Sequence, residues 1–462
     1  MKNIGVFFIV LLCAVSMVFT GCEDKNKGKT VVKIGNYPLD TDADSRKMWD
    51  KWIDQHHEKY PDVRIIPSRY DYSVDTFVPM AQGGGLPTLF VTYFTEPDKL
   101  IRSGLLRDIT KEIEAIGWDE KISGFSRDLL VRDGKIYGVP SEAYALGLHL
   151  NMDLFRRAGL VDSEGFPLYP KTWEELAITA RTIRERTGRA GLCLLAKDNA
   201  GGWHFTNIAW GFGAEFAVER DGKWIAQVNT PEVATALQYV KDLKWVYNAL
   251  TPDPTNEDWG TGFAALGSGM AAMYIAGPGG SGTILINEQY GLPPGDLAVV
   301  PLPAGPGGQY SLGGGTIFAF PTYATSAEVT AALQFLETIG KAPVVTPDTV
   351  AAMNTSAHNL YNRGVAVLLD GISVWDDPEY NKARDDAIAE YLNVDMRFFN
   401  DYYQTVTKPG NIRNEDGGPL TQDLYAELTK ALQAVLTDRN ANVQALLDIA
   451  QRNFQSMLDR LN

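Results

Sequence analysis

Residues 137–176 constrain the fold more than any other stretch of this chain, because an apolar run stands directly before two helix starts. The run, residues 145–150, is followed at once by an amphipathic helix start at residues 151–153. A second helix start follows at residues 170–175, with the sequence Pro-Lys-Thr-Trp-Glu-Glu. A strand that leads straight into helices is typical of α/β proteins. We therefore expect the chain to pass here from one lobe to another, with a ligand bound beside the crossing.

The length and the charge of the chain narrow its class. A chain of 462 residues is too long for a single hydrophobic core, so two lobes are expected. Its formal net charge of −15 argues against nucleic-acid binding, since a phosphate backbone requires a basic surface. No two of the five histidines lie at the spacing of a metal-binding motif, and we expect neither a metal nor a cofactor.

The first residues have the pattern of an export signal. Lys2 supplies a positive charge, residues 4–20 are apolar, and Cys22 follows a threonine and a glycine. The sequence before Cys22 resembles a bacterial lipobox, with Phe19 where leucine is usual. We therefore predict a signal peptide at residues 1–21, a lipid on Cys22 and a charged tether at residues 22–29. These features would place the protein on the outer face of the cell membrane, and an uncleaved single-span anchor is the alternative.

The next segments predict a parallel sheet. Strands are expected at residues 30–35, 63–67 and 86–92, with a helix at residues 44–60 between the first two. Strand, helix and strand in this order imply right-handed crossovers, and ligands of such sheets bind beyond the carboxyl ends of the strands. That edge would carry five candidate ligand-binding residues: Asn36, Tyr37, Tyr93, Phe94 and Glu96.

The rest of the chain continues the alternation of strands and helices. Further strands are expected at residues 192–196, 271–275, 297–303 and 316–320. Further helices are expected at residues 231–246, 328–339, 423–436 and 443–461. Residues 199–205 are predicted to be a loop rich in glycine and aromatic side chains, and residues 277–282 a second glycine-rich loop. The chain is therefore predicted to be α/β along its whole length.

Two short motifs allow more than one interpretation. Residues 277–282 match G-x-G-x-x-G, but a dinucleotide site needs this motif in the first βαβ unit, with an acid about 20 residues further on. A loop of a ligand cleft and a plain turn are the other interpretations. Residues 40–44 resemble the start of a calcium loop, yet Ser45 and Lys51 replace the expected glycine and glutamate. N-capping of the following helix by Asp44 is therefore favoured.

Several motifs, taken in order, resemble those of one family. Residues 137–140, 147–155, 158–160 and 170–176 are followed by further matches at residues 269–273, 277–278, 300–303 and 332–336. Together they resemble the extracellular solute-binding proteins of carbohydrate ABC transporters, the maltose-binding-like family 1. The resemblance implies an α/β, two-lobed periplasmic-binding-protein-like fold of type II. Each lobe would be a sheet flanked by helices, with hinge strands between the lobes.

The resemblance also implies where the lobes begin and end. The N-terminal lobe would comprise residues 30–143 plus 302–345, and the C-terminal lobe residues 144–301 plus 346–462. Hinge crossings are expected near residues 139–150, 299–303 and 343–347. A cleft that closes on a ligand between two such lobes needs no catalytic residue, and none is predicted.

Further candidate ligand-binding residues follow from the resemblance. Glu142 and Tyr144 would lie at the first crossing, where maltose-binding proteins carry a glutamate at about the position of Tyr144. Trp203 would lie in the loop that carries a ligand-contacting aromatic in the family. Tyr425 aligns with a C-terminal aromatic that stacks on sugar there.

The second glycine-rich loop departs from the family pattern. Gly279 stands where maltose-type proteins place a tryptophan that stacks on sugar. Gly279 and Gly280 would instead offer backbone N–H groups, or leave room for a bulkier ligand. No cluster of Arg and Lys is apparent near the candidate residues, which disfavours phosphorylated or uronic ligands.

The predicted function follows from the resemblance and the export signal. The protein would be a monomeric, lipid-anchored substrate-binding subunit of an ABC importer. It would capture a carbohydrate, an oligosaccharide in the favoured version, and deliver it to two permease subunits driven by an ATPase. One alternative is a surface glycoside hydrolase with Glu96 and Glu142 as its acid pair. The other is a ligand sensor that feeds a histidine kinase.

Overall fold

The structure is a computed structural model that describes residues 26–74, 76–369, 371–408, 410–414 and 418–461. The predicted signal peptide, Cys22 and the first part of the tether lie outside these residues. Within the described ranges, every helix is too short or too polar to span a bilayer.

Strands and helices alternate along the described chain, as the sequence predicts. The strands are β1 (Thr30–Ile34), β2 (Val63–Pro67), β3 (Phe90–Tyr93), β4 (Val131–Arg132), β5 (Lys135–Ile136), β6 (Val139–Ala145), β7 (Gly147–Asn151), β8 (Ala190–Cys193), β9 (Ala217–Arg220), β10 (Lys223–Ala226), β11 (Ala271–Ala276), β12 (Leu297–Val300), β13 (Ser311–Ala319) and β14 (Ile412–Asn414). The helices are α1 (Ala43–Lys59), α2 (Phe77–Gln82), α3 (Pro97–Arg102), α4 (Thr110–Glu114), α5 (Gly124–Leu130), α6 (Met152–Arg157), α7 (Trp173–Thr187), α8 (Asp198–Gly211), α9 (Pro231–Trp245), α10 (Trp259–Gly267), α11 (Gly280–Ile284), α12 (Ser326–Thr338), α13 (Pro347–Asn362), α14 (Pro378–Ala389), α15 (Asn400–Val406), α16 (Thr421–Thr437) and α17 (Val443–Leu458). A π-helical segment, Leu285–Gln289, follows α11.

The N-terminal part of the chain forms a mixed arrangement of strands. β1 pairs in parallel with β2, and Ile34 at the end of β1 bridges in parallel to Leu89. β13 is central to the neighbouring sheet, where it runs antiparallel to β3 and β6 and parallel to β14. The predicted parallel pairing is therefore confirmed for β1 and β2. The third predicted strand, residues 86–92, meets β1 in parallel at Leu89, and its continuation β3 also pairs antiparallel with β13, which enters late in the chain.

The second sheet has the strand order β12, β7, β11, β8. β7 runs antiparallel to β11 and β12, whereas β11 and β8 are parallel. All residues of these four strands are buried. Burial of both faces requires an almost continuously apolar strand, which explains the run at residues 145–150.

Two hydrophobic cores correspond to the two lobes. The first core includes Ile34 of β1 and Phe318 of β13, and the second includes Leu148 of β7 and Met273 of β11. Met353 of α13 and Tyr380 of α14 pack in the first core, although residues 346–462 were expected in the C-terminal lobe. These helices stay with the first core because α13 packs against α12 and α14 against α13. The lobe boundaries remain a prediction, and these contacts favour a third crossing between α14 and α15.

The structure confirms the predicted helix start at residues 170–175 and shifts the predicted N-cap of α1 by two residues. Thr172 caps α7 by accepting a hydrogen bond from the backbone N–H of Glu175 at 3.2 Å, which places Trp173 in the second core. At α1 the N-cap is Asp42 rather than Asp44, since the Asp42 carboxylate accepts from the N–H of Ser45 at 3.1 Å. Asp44 lies two residues later, within the first turn, where a carboxylate also favours the helix N-terminus.

Candidate ligand-binding cleft

The chain crosses between the two sheets at a single residue. β6 belongs to the sheet built on β13, β7 belongs to the second sheet, and Leu146 stands between them. The Leu146 N–H donates to the carbonyl of Leu312 at 3.0 Å, so this crossing is tied to the start of β13. The return from β12 to β13 takes place over residues 301–310. Both positions agree with crossings expected from the sequence.

A cavity of about 370 Å³ lies beside this crossing. We call it the cleft cavity. Five of the predicted ligand-binding residues line it, namely Glu142, Tyr144, Trp203, Gly279 and Gly280. They come from β6, from α8 and from the segment that joins β11 to α11, so three separate elements bring them together.

The Tyr144 ring is packed between two glycines. A Cβ added to Gly277 would lie 2.7 Å from Cγ of Tyr144. A Cβ added to Gly314, the partner of Tyr144 in the β6–β13 pair, would lie 2.7 Å from its hydroxyl oxygen. Any other residue at these two positions would displace the ring. The glycines therefore fix the place of Tyr144 at the wall of the cleft cavity.

Trp203 lies on a helix, whereas the sequence analysis expected a loop. The glycines before it serve close helix packing, because a Cβ added to Gly202 would lie 2.3 Å from the carbonyl oxygen of Tyr425 on α16. The next residue, His204, anchors α8 to β11: its Nδ1 accepts from the Leu195 N–H at 3.2 Å, and its Nε2 lies 2.7 Å from the Ile275 carbonyl oxygen. Burial lowers the pKa of His204 to about 4, so the ring is neutral.

The predicted residues at the end of β1 do not line the cleft cavity. The Tyr37 hydroxyl donates to the Asp50 carboxylate at 2.7 Å, and the Arg46 guanidinium lies 5.0 Å from the Tyr37 ring centre. Asn36 forms an isolated bridge with Arg69. Tyr37 therefore packs against α1, where its ring also lies 6.2 Å from that of Trp49.

The three predicted ligand-binding residues at the end of β3 and after it lie in different surroundings. Tyr93 is 45% exposed but does not line the cleft cavity, whereas Phe94 is buried and lines a second cavity. Glu96 is 1% exposed, and its carboxylate accepts from the hydroxyl groups of Tyr72 and Thr95. Glu96 and Glu142 therefore do not line a common cavity.

Tyr425 is not the exposed stacking aromatic that the alignment suggested. Its side chain is 1% exposed in the interface between α16 and α8. The close approach of Gly202 to the Tyr425 backbone holds that interface together. Helix packing therefore buries the ring.

Comparison with known families identifies the chain. The model of the bacterial extracellular solute-binding protein family matches residues 42–344. The chain belongs to this family. The arabinooligosaccharide-binding protein of Bacillus subtilis is 25% identical to this solute-binding protein over 254 residues, which cover 53% of this chain and 55% of that protein. A putative binding protein of Brucella abortus is 30% identical over 114 residues, 24% of this chain and 26% of that one. The chain thus spans from a quarter to about half of the length of these relatives.

Solved structures show the same fold over nearly the whole chain. The maltose-bound MalE3 of T. maritima is 19% identical with a TM-score of 0.65, covering 94% of this chain and 100% of that one. A Thermotoga lettingae solute-binding protein bound with alpha-D-tagatose is 19% identical with a TM-score of 0.71, covering 93% and 100%. The solute-binding protein therefore has the two-lobed α/β fold of periplasmic binding proteins that its sequence predicts.

Sequence reasoning missed several aromatic residues of the cleft cavity, and Trp259 is the most exposed of them. Trp259 is 42% exposed and lines the cleft cavity. The edge-on ring of Phe263 supports it at 4.8 Å, and Asp258 caps the helix by accepting from the N–H of Thr261 at 3.0 Å. The capping pair predicts the helix start, but no sequence signal shows that the Trp259 ring faces a cavity.

Metal and proton chemistry have little support in the cleft cavity. Among the described residues, His, Cys, Asp and Glu side chains form no group of three that could hold a metal ion. In the part of the chain that the structure describes, the free thiol is that of Cys193 in β8, and burial raises its pKa above the usual range. The cleft cavity offers the carboxylate of Glu142, the cationic side chains of Lys341 and Arg384, the hydroxyl groups of serine and threonine side chains, aromatic faces and glycine backbone.

Proposed function

We propose that this solute-binding protein captures a carbohydrate in the cleft cavity and delivers it to an ABC permease. The observation that carries the proposal is the gathering of Tyr144, Trp203 and Trp259 around one cavity that also contains Glu142. Aromatic faces stack on the C–H surfaces of sugar rings, and carboxylates accept hydrogen bonds from hydroxyl groups. A sugar needs both kinds of contact.

The sugars named for similar proteins support this choice. The Bacillus subtilis relative is an arabinooligosaccharide-binding protein, and proteins of the same fold are described as bound with maltose, alpha-D-tagatose and cycloalternan. Gly279 and Gly280 carry no side chain and so leave space in the cleft cavity, whose volume is about 370 Å³. We therefore favour an oligosaccharide as the ligand.

The mode of action would be binding without catalysis. The glycoside hydrolase alternative needs two carboxyl groups on either side of one glycosidic bond. Glu142 lines the cleft cavity, but Glu96 is buried elsewhere with its hydrogen bonds taken by Tyr72 and Thr95. In our proposal the two lobes close on the sugar, and the closed form is recognised by two permease subunits that work with an ATPase.

A saccharide screen tests the proposal. The purified protein would be scanned with mono- and oligosaccharides by thermal shift and tryptophan fluorescence, with product analysis of each hit. We expect stoichiometric binding and no product. Trp203→Ala should weaken binding of the best hit tenfold or more, which is on the order of 1.4 kcal/mol, with Trp245→Phe in α9 as the matched control. Turnover of the sugar, or unchanged affinity of a folded Trp203→Ala protein, would contradict the proposal.

The lipid anchor requires a separate experiment, since Cys22 lies outside the described residues. Cys22→Ala should release the protein from the membrane fraction, while sugar binding by the released protein stays unchanged. Retention of the Cys22→Ala protein in the membrane would favour an uncleaved span instead.

A further inference from the structure

A second cavity of about 340 Å³ lies between the two lobes. One wall comes from the first lobe, with Thr95, Asp98, Arg102 and Arg132. The opposite wall comes from the second lobe and includes Trp224. A ligand here would therefore touch both lobes, as a ligand in the cleft cavity would.

Asp98 is held in place by two arginines. Its Oδ2 accepts from Nε of Arg102 at 2.8 Å, and its Oδ1 accepts from Nε of Arg132 at 3.2 Å. The Asp98 side chain keeps 23% of its surface exposed. A carboxylate and guanidinium groups fixed side by side offer acceptors and donors together, which is what neighbouring hydroxyl groups of a sugar require.

An aromatic ring completes this arrangement. Trp224 of β10 is half-buried, and a Cβ added to Gly418 would lie 2.8 Å from its ring. Gly418 has a φ of +62°, so the chain can approach the indole closely only with glycine here. The backbone at Gly418 therefore fixes the orientation of Trp224, and a fixed indole is a suitable surface for a sugar ring.

The charges around the second cavity favour a neutral ligand. The sequence suggested no cluster of basic residues, and the fold does bring Arg102 and Arg132 together, but both already contact Asp98. The hydrogen bond to Asp98 raises the pKa of Arg102, and Glu219 and Asp133 act on it in the same direction from outside the cavity. An acidic ligand would meet these carboxylates as well as the arginines.

A short hydrogen-bond chain runs from the wall of the second cavity to α8, the helix that carries Trp203. Thr95 lines the second cavity, and its Oγ1 accepts from the Gln422 side-chain amide at 3.1 Å. The Asn199 amide, one turn before Trp203 on α8, donates to the Gln422 side-chain oxygen at 2.8 Å. The hydroxyl groups of a sugar chain could replace the Gln422 amide between these partners, because they both donate and accept.

We propose that the second cavity binds a further unit of the same neutral oligosaccharide, with Asp98 and Arg102 contacting its hydroxyl groups and Trp224 its ring. This inference rests on the proposed function and extends it. A short ligand would occupy the cleft cavity alone, and a longer one would displace the Gln422 side chain and reach Asp98. Affinity should then increase with chain length.

Calorimetry with ligands of matched chemistry tests this inference. The probes are arabinose, arabinobiose and arabinotriose, and glucose, maltose and maltotriose. Asp98→Asn keeps the shape of the side chain and removes its charge, so it should weaken binding of the longest bound sugar about tenfold and leave its monosaccharide unaffected. Trp224→Leu should do the same, and Trp224→Phe should restore part of the affinity. Arg181→Gln on the exposed face of α7 is the control.

The outcomes separate this inference from the proposed function. If the sugars bind but the Asp98 and Trp224 variants bind every length as the wild type does, the second cavity is not part of the site. The proposed function would still stand in that case. If none of the six sugars binds the wild type, or if Trp203→Ala alone has no effect, the proposed function loses its support and the second cavity loses its ligand.

Discussion

β6 and β7 are separated by one residue but belong to different sheets, and their side chains differ in burial. All five residues of β7 are buried, as are those of the other strands in its sheet. β6 is also paired on β13, yet Glu142 is exposed and Ala143 and Tyr144 are half-buried. The first arrangement is a closed layer, and the second leaves side chains at the wall of a cavity.

Because of this difference in burial, we expect the closed sheet to determine stability and the open side of β6 to determine ligand binding. Substitutions in the closed sheet should lower the free energy of unfolding and leave affinity unchanged in the protein that remains folded. Substitutions on the open side of β6 should lower ligand affinity and leave the free energy of unfolding unchanged. Four variants, taken from the largest expected effect to the smallest, test how sharply this division holds.

Gly191→Ala in β8 should have the largest effect on stability. The added Cβ would lie 2.2 Å from Cα of Ala180 in α7, and backbone atoms cannot give way as a flexible side chain can. We expect a loss of about 3 kcal/mol in the free energy of unfolding, measured by urea denaturation. Gly295→Ala is the control, because nothing lies within 4 Å of a Cβ there. Equal stability of the two variants would show that α7 is free to move off the closed sheet.

His149 in β7 should make the closed sheet sensitive to acid. Burial lowers the pKa of His149 to about 4, from 6.5 in an unfolded chain. Between these values the unfolded chain binds a proton that the folded protein does not, so stability is complete above pH 6.5 and decreases as the pH falls towards 4. The decrease due to this residue is on the order of 3 kcal/mol.

His149→Met should therefore flatten the dependence of the unfolding free energy on pH between about 6.5 and 4. His56 and His204 have pKa values lowered by burial in the same way, so part of the dependence will remain. His358→Gln on the exposed side of α13 serves as the control. An unchanged slope in His149→Met would mean that the buried ring is not what titrates.

Glu142→Gln tests the open side. The substitution keeps the size of the side chain and replaces a charged hydrogen-bond acceptor by a neutral one, which costs about 1 kcal/mol when the partner is a hydroxyl group. We expect roughly a fivefold loss of saccharide affinity by calorimetry and no change in thermal stability. Glu174→Gln, exposed on α7, is the matched control. If Glu142→Gln lowered thermal stability without lowering affinity, Glu142 would contribute to stability and not to ligand binding.

The closed sheet was easier to predict from sequence than the open side. Continuous apolar runs such as residues 271–275 and 145–150 predict buried strands directly, because both faces must be apolar. Side chains at a cavity have no such pattern. Trp210 and Trp259 both lie on helices, yet Trp210 is fully buried and Trp259 is 42% exposed. Only the packing of α8 and α10 decides which ring faces a ligand.

Sites assembled from distant residues were the least predictable. Arg132 contacts Asp98 across 34 positions of sequence, so the basic pair of the second cavity has no local signal. Tyr144 and Glu142, which line the cleft cavity, could be predicted as candidates because they adjoin a crossing that the family motifs mark. Tyr425 was misjudged since its exposure depends on how closely Gly202 approaches α16.

Arg363 joins the two lobes and should have the smallest effect. It follows α13, which packs in the first core, and its guanidinium contacts Glu288 of the π-helical segment at 2.5 Å and Asp42 at the start of α1 at 3.4 Å. The hydrogen bond to Glu288 raises the pKa of Arg363. Arg363→Met keeps the aliphatic contacts of a side chain that is 10% exposed and removes the charge that faces both lobes.

We expect Arg363→Met to change saccharide affinity two- to threefold, a cost of about 0.5 kcal/mol, because both carboxylates that it leaves behind are partly exposed to water. Small-angle scattering of the ligand-free protein should show a more open average shape. Glu288→Gln should reproduce both results, whereas Lys382→Met, within α14, should reproduce neither. The contrary outcome is that Arg363→Met lowers the free energy of unfolding, as Gly191→Ala should, without a change in affinity or shape. In that case the ion pair between Arg363 and Glu288 stabilises the hydrophobic cores and does not set how far the lobes open.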